Sequence, residues 1–253
     1  MIRASLACTR RLLLQLVRNR RELLFWFAFP AMMLVLFGTM YAAPAFAKNI
    51  PFDAIPPGIL VGAALFFACL GGPATAVVTE RQNGTFRRLL LTPPGPIAVV
   101  FGTLGAYVIV GAIQALIVYG LALFFHGNMR FDYALALLVL VLSIACYVAA
   151  GIACAAAFSR REGEILAPIA AFGVPLLCLS GTFFPVSIMP PFMQRFAEAT
   201  PIYHMIRAMT EVTAHRATLG PILGDVVYLT IFALAATGLA ALSYRSIAAA
   251  ERA

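Results

Sequence analysis

The chain holds three histidines, five cysteines and ten acidic residues, the side chains that bind metals or move protons in active sites. His126, His204 and His215 stand far apart, and none opens the His-Glu-x-x-His spacing that sets two imidazoles on one helix face around zinc. There is no Gly-x-Ser-x-Gly elbow to expose a nucleophilic serine and no paired-carboxylate motif, which argues against a hydrolase or a metalloenzyme. Cys8, Cys69, Cys146, Cys154 and Cys178 lack Cys-x-x-Cys spacing and lie in or beside apolar runs, so they read as small core residues. The densest polar feature is Glu80-Arg81-Gln82-Asn83-Gly84-Thr85-Phe86-Arg87-Arg88-Leu89-Leu90-Leu91-Thr92-Pro93. It mixes acid, base and amide groups with Phe86, Leu89 and Leu90 before proline stops it. A short amphipathic helix over 80–92 would show those charges to a soluble surface and its apolar side to the rest of the protein. A loop that merely holds positive charge inside is the plainer alternative.

The elements that must position this segment follow from composition. Of 253 residues 62% are hydrophobic and 11% charged, with a mean hydropathy of +0.95, whereas an ordinary soluble domain is roughly 25% charged. Uncharged runs at 23–47, 54–79, 89–129, 133–159, 165–194 and 226–244 are each long enough to cross a hydrocarbon core, which takes about 20 helical residues. The expected fold is therefore all-α: one membrane domain over 1–253 with six transmembrane helices. No stretch could house a soluble domain of the usual ~100 residues, so no fused ATPase or nucleic-acid-binding module is expected. The net charge of +8 points to membrane lipids and not to nucleic acid.

Six spans put both termini on one side. With the ends inside, Arg3, Arg10, Arg11, Arg18, Arg20, Arg21, Arg81, Arg87, Arg88, Arg160, Arg161, Arg245 and Arg252 are internal, against Lys48, Arg130, Arg195, Arg207 and Arg216 outside. This asymmetry predicts cytoplasmic termini in a multi-pass protein of the inner (plasma) membrane. Residues 1–22 space Ile2, Leu6, Leu13, Leu16 and Val17 at near-helical intervals among arginines, as an interfacial amphipathic helix would. The Ala43-Pro44-Ala45-Phe46-Ala47 run imitates a leader cleavage site, but the long charged region before the apolar run and the five later spans favour a retained first helix.

Pro30 falls in span one and Gly71-Gly72-Pro73 in span two, both invitations to kink. Thr92-Pro93-Pro94-Gly95-Pro96 splits the longest run, so span three starts near Ile97 and ends near Phe125, and span four covers about Tyr133 to Phe158. Ala145, Ala149, Ala153 and Ala157 form a small-residue ridge suited to close helix contact. Span five, from about Ile165, reaches Gly181-Thr182-Phe183-Phe184-Pro185, and span six runs from about Ile222 to Tyr244. Between them, 185–220 is too polar to span and too apolar for an exposed loop, which predicts one or two short helices at the outer face. Thr200-Pro201 reads as an N-cap with proline at the first helical position. Ionisable residues are missing from the spans, with Asp225 and Glu164 only at their edges. A proton- or ion-coupled transporter would place charges deeper.

Glu80-Arg81-x-x-Gly84-Thr85 with Leu89-Leu90-x-Thr92-Pro93 resembles the segment after the second span of ABC-2 type exporter permeases. Leu179-Ser180-Gly181-Thr182-Phe183-Phe184-Pro185 with Pro190, Thr200-Pro201-Ile202-Tyr203 leading to Arg207, and the basic first helix followed by Phe29-Pro30 extend the likeness along the chain. The resemblance implies half of a dimeric channel that pairs with an ATP-binding cassette subunit and with a second copy or a paralogue of itself. It implies no enzyme activity or bound cofactor here, with ATP and Mg on the partner subunit; the chain has no Gly-x-x-x-x-Gly-Lys-[Ser/Thr] loop, and its only lysine is Lys48. Glu80, Arg81, Gly84, Thr85, Arg87 and Arg88 would then form the ATPase-coupling helix, and Phe183, Phe184 and Pro185 part of an outer gate in a re-entrant hairpin. The implied function is export of an amphiphile, whether drug, lipid or lipid-linked glycan, with polysaccharide export or, further off, secondary transport as alternatives.

The charge asymmetry sets a direct test of topology. Single cysteines at Asn83 and Asn128 in a cysteine-free background are expected to react with an impermeant reagent from opposite sides, Asn83 only from the cytoplasm. Labelling of both from outside would refute the ends-in arrangement.

Overall fold

The computed structural model describes residues 2–42, 52–82, 95–125, 131–158 and 162–250, and among them helices carry almost the entire chain. α1 (Ile2–Arg18) is separated from α2 (Arg20–Ala42) by Asn19 alone. A 3-10 turn, Phe52–Ala54, leads into α3, residues 55–82. Then come α4 (Gly95–Phe124), α5 (Tyr133–Phe158) and α6 (Glu162–Leu179). After a 3-10 turn at Val186–Ile188 follow α7 (Pro191–Glu198), α8 (Pro201–Thr213) and α9 (Leu219–Ala250). Spans three and four therefore begin and end within a few residues of where proline breaks and charge placed them.

Among the described residues five helices carry apolar stretches long enough to cross a membrane: Leu23–Met40, Ile55–Thr79, Ala98–Phe124, Tyr133–Ala155 and Leu219–Leu242. The apolar part of α6, Ala167–Leu179, is shorter. The uncharged run that suggested a full span there continues past α6 into a turn, because Gly181 adopts φ +93 and reverses the chain.

α3 is the axis of the bundle. It opens with an α-helical turn, Ile55–Gly58, whose prolines occupy first-turn positions where no N–H is needed. It continues as a π-helical stretch, Ile59–Gly71, and ends as the α-helical Gly72–Gln82. The glycine pair before Pro73, expected to kink the helix, instead marks the change of hydrogen-bond register. Ile59, Leu60, Val61, Leu65 and Cys69 are fully buried because α2, α4, α5, α6 and α8 all pack around this stretch. An aromatic chain ties it to its neighbours: Phe29 meets Phe67 edge-on at 5.4 Å, Phe67 meets Phe66 at 5.3 Å, and Phe66 meets Tyr147 at 5.9 Å. Such pairs contribute about 0.5–1.5 kcal/mol beyond the area they bury. The most extensive pairing is α5 against α9, with Ala149 of the small-residue ridge buried. α1 packs along α4, where Thr9 Oγ1 donates to the Gly102 carbonyl at 2.8 Å.

Among the described residues one amide side chain is buried, and backbone accounting explains it. Pro30 has no N–H, so the carbonyl four residues earlier, on Trp26, loses its helical donor. Gln114, on α4 and 1% exposed, supplies it: its Nε2 donates to the Trp26 carbonyl at 3.4 Å. Gln114→Leu is therefore expected to destabilise the bundle by roughly 1 kcal/mol. In a Pro30→Ala background, where the substituted residue provides its own N–H, the same change is expected to cost little. Reversible unfolding in lipid-like detergent measures both, and equal losses in the two backgrounds would contradict the pairing.

Candidate functional site at the hairpin end

Two groups of residues were expected to carry function. Glu80 and Arg81 lie at the C-terminal end of α3, continuous with its apolar body. Gly84, Thr85, Arg87 and Arg88 lie outside the described residues, and so does most of the expected helix over 80–92. The second group, Phe183, Phe184 and Pro185, falls in the turn that joins α6 to α7, where the structure is informative.

That turn is built by close backbone approach. Gly181 turns the chain, and Thr182 then sits against α3 where Gly58 and Gly62 lack side chains. A Cβ on Gly58 would come within 2.7 Å of the Thr182 carbonyl, and one on Gly62 would overlap the Thr182 side chain. This seating brings Phe183 and Phe184 to Phe37 of α2, the first stacked at 5.2 Å and the second edge-on at 6.1 Å. Ser180 and Thr200 hydroxyls meet at 3.0 Å, and Thr200 Oγ1 accepts the Tyr203 N–H, the N-cap that its Thr-Pro signature announced.

Beside the aromatic trio opens a cavity of about 200 Å³. Phe37, Ile55, Phe183, Phe184 and Ile206 give it apolar walls, while Tyr203, Arg207, Thr210 and Glu211 of α8 give it a polar rim. Burial pushes the Tyr203 phenol above its usual range, with Arg207 opposing the shift, so the rim carries a neutral hydroxyl at physiological pH. Such a space suits the apolar end of an amphiphile with polar groups at its edge.

Behind the rim lies a cluster that the sequence reading passed over. Asp225, in the second turn of α9, has a side chain only 1% exposed. His204 Nδ1 lies 2.7 Å from Asp225 Oδ1, and the Arg207 guanidinium donates to the same oxygen at 3.3 Å. His204 Nε2 sits 2.9 Å from the Glu198 carbonyl at the end of α7, and Tyr228 of α9 donates its hydroxyl to the Ala199 carbonyl at 2.9 Å. The cluster fastens the α7–α8 corner to α9. Its signal in the sequence was Asp225 itself, because an acid within an apolar helix is costly unless a cation reaches it. Among the described residues no three His, Cys, Asp or Glu side chains gather as a metal site.

The glycine contacts carry their own test. Gly62→Ala is expected to push Thr182 out of its seat and loosen the Phe37–Phe183 stack, lowering stability by roughly 1–3 kcal/mol as overpacking does. Thr182→Ala, which removes the nearest atoms, is expected to recover part of the loss; no recovery would place the strain elsewhere.

Comparison with known proteins agrees with this architecture. The chain is 30% identical over 167 residues to the linearmycin resistance permease protein LnrN of Bacillus subtilis (strain 168), a match covering 64% of this chain and 42% of that relative. The chain thus spans less than half of that relative's length in the match. A family model described as ABC-2 type transporter matches residues 3–213, from α1 through the aromatic turn to the end of α8. With four of the five long apolar helices, the aromatic turn and the capped α8 inside that match, the chain belongs to the ABC-2 type transporter family.

Proposed function

We propose that this membrane chain is the permease half of an ATP-driven exporter that moves an amphiphile, a drug, a lipid or a lipid-linked glycan, from the cytoplasm or inner leaflet outward. In this reading the termini are cytoplasmic and α6 completes a sixth crossing. Residues 80–92 dock in a groove of an ATP-binding subunit that carries ATP and Mg, and a second permease completes the channel. The α7–α8 hairpin lies at the outer face, with Phe183, Phe184 and Pro185 as its gate.

The observation that carries the proposal is the aromatic-walled cavity between α2 and the α6–α7 turn, where Phe183 and Phe184 meet Phe37. Rings stacked over a small cavity can part for an apolar cargo without stripping charges of water. Among the described residues Asp225 is the one fully buried charged side chain, and His204 and Arg207 hold it. That leaves no series of buried groups along which an ion could be passed, which favours energy delivered by a partner. The relative's printed description as a resistance permease supports a noxious cargo.

The test uses the chain co-assembled with its ATP-binding subunit in proteoliposomes, with ATP hydrolysis followed against a panel of lipophilic drugs and glycolipids. Lipophilic compounds are expected to stimulate hydrolysis. Glu80→Ala or Arg87→Ala, and more severely Gly84→Pro, should lower that stimulation, since losing a contact to a partly buried groove costs roughly 1–3 kcal/mol. Changes at Arg160 or Arg161 should matter less. Phe183→Ala with Phe184→Ala should alter transport and leave assembly intact. Equal loss from both loops would reduce the coupling assignment to general damage, and unchanged transport in the double alanine variant would leave the rings as packing only.

A further inference from the structure

The His204 ring is placed between two acceptors. Nδ1 faces the Asp225 carboxylate at 2.7 Å, and Nε2 faces the Glu198 carbonyl at 2.9 Å. A neutral imidazole has one N–H and one lone pair, so it would set that lone pair against an oxygen. Only the imidazolium donates to both. The surroundings favour the cation as well. The Glu198 carbonyl belongs to the C-terminal end of α7, where the helix dipole attracts positive charge. The Tyr228 ring lies against the imidazole at 4.1 Å between centroids. Among the described residues Asp225 Oδ2 has no hydrogen-bond partner, and the other cation on this carboxylate, Arg207, is 47% exposed and screened by solvent.

We propose that His204 is a proton-operated latch: as an imidazolium it pins the α7–α8 corner to Asp225 of α9, and its deprotonation frees the end of α7. The sign follows from the donors. At low pH both N–H groups are present and the corner is tied to α9 and to α7 together. When the imidazolium gives up one proton, the proton on Nδ1 stays with the carboxylate, and the one facing Glu198 is lost. The α7 carbonyl then meets a lone pair, and the Tyr228 contact to Ala199 is left to link the end of α7 to α9, while the Nδ1 proton and Arg207 keep α8 on Asp225. The other groups around the ring are accounted for: Glu198 and Arg195 on α7, Tyr203, Arg207 and Glu211 on α8, and Asp225 and Tyr228 on α9. His215, the other imidazole of α8 and its end, pairs with Glu211 at 3.3 Å and touches neither α7 nor α9 through that contact. On the export reading the latch would make opening of the hairpin easier in alkaline surroundings, but the inference itself rests on the corner's geometry and holds whatever the cargo.

The test reads the corner directly. Spin labels at Phe192 on α7 and Leu223 on α9, both exposed, are placed in the full chain in lipid nanodiscs, and their distance distribution is measured between about pH 5.5 and about pH 8.5, a window that brackets histidine titration. One narrow distance is expected at the acid end, with the docked fraction falling at least about two-fold at the alkaline end, a change of the size that loss of one charged hydrogen bond produces. His204→Gln, whose two N–H donors sit on a single nitrogen and which carries no titratable proton, is expected to be broad and insensitive to pH. His215→Gln is expected to respond as the wild type does. A wild-type distribution that does not move with pH would overturn the latch, as would a response retained in His204→Gln or abolished in His215→Gln. Since neither ATP nor cargo enters this measurement, its failure would leave the export reading standing, and failure of the transport assay would leave the latch standing.

Discussion

In the hydrocarbon interior a backbone carbonyl without a donor has no water to turn to, and the bundle is arranged around that constraint. Pro30 breaks one hydrogen bond inside α2, and a glutamine from α4 repairs it. Buried hydroxyls and thiols show the same habit. Tyr147 donates to the Val61 carbonyl in the π-helical part of α3, Cys146 points its thiol at the Leu229 carbonyl, and Ser143 returns to its own helix at Val139. Because lipid is as apolar as leucine, burying Leu34 or Ile144 inside the bundle gains little from the hydrophobic effect. Contact between helices depends instead on close fit and on polar repairs like these. Cysteine is useful in such a setting because it fills a small volume and still offers a weak donor.

Close fit explains where the glycines are needed. Gly151 lets α5 meet the Leu70 carbonyl of α3, Gly173 leaves room on α6 for Phe66, and Gly58 with Gly62 leaves room for Thr182. Each removes a side chain at a crossing on α3, the helix that the others surround. The aromatic turn is thus fastened to the most buried element of the protein, while Phe184 at its tip remains partly exposed. A rigid base with an exposed tip is what a movable closure needs.

Much of this was legible in the sequence, and the reasons differ by element. Helix limits were readable wherever charge or proline interrupts an apolar run, as at Tyr133 and Gly95, and the Thr200 cap followed from side-chain chemistry alone. The depth of α6 was not readable, because an uncharged run does not say where a glycine will reverse the chain. Gln114 is a rare amide within an apolar run, yet its partner was hidden, since the carbonyl it serves is orphaned by Pro30, far away in the sequence and on another helix. The Asp225 cluster was missed for a related reason: His204 and Arg207 were read as part of a short helix at the outer face and Asp225 as an edge residue, and nothing local says that this segment will fold back onto α9. Gly71-Gly72 read as an invitation to kink, whereas Gly58 and Gly62 carried no signal of their own, and their use became visible only with Thr182 beside them.

The position of Asp225 bears on how the molecule is made. It lies 21 residues beyond His204 and on the final long helix. While the ribosome is still producing that helix, α7 and α8 already exist with an imidazole and a guanidinium that have no carboxylate to meet. Docking of the corner must wait until α9 has entered the bilayer, so the closing contact of this end is also the last to form in the order of synthesis. A chain truncated before Asp225 would leave His204 and Arg207 without the carboxylate that fastens the corner.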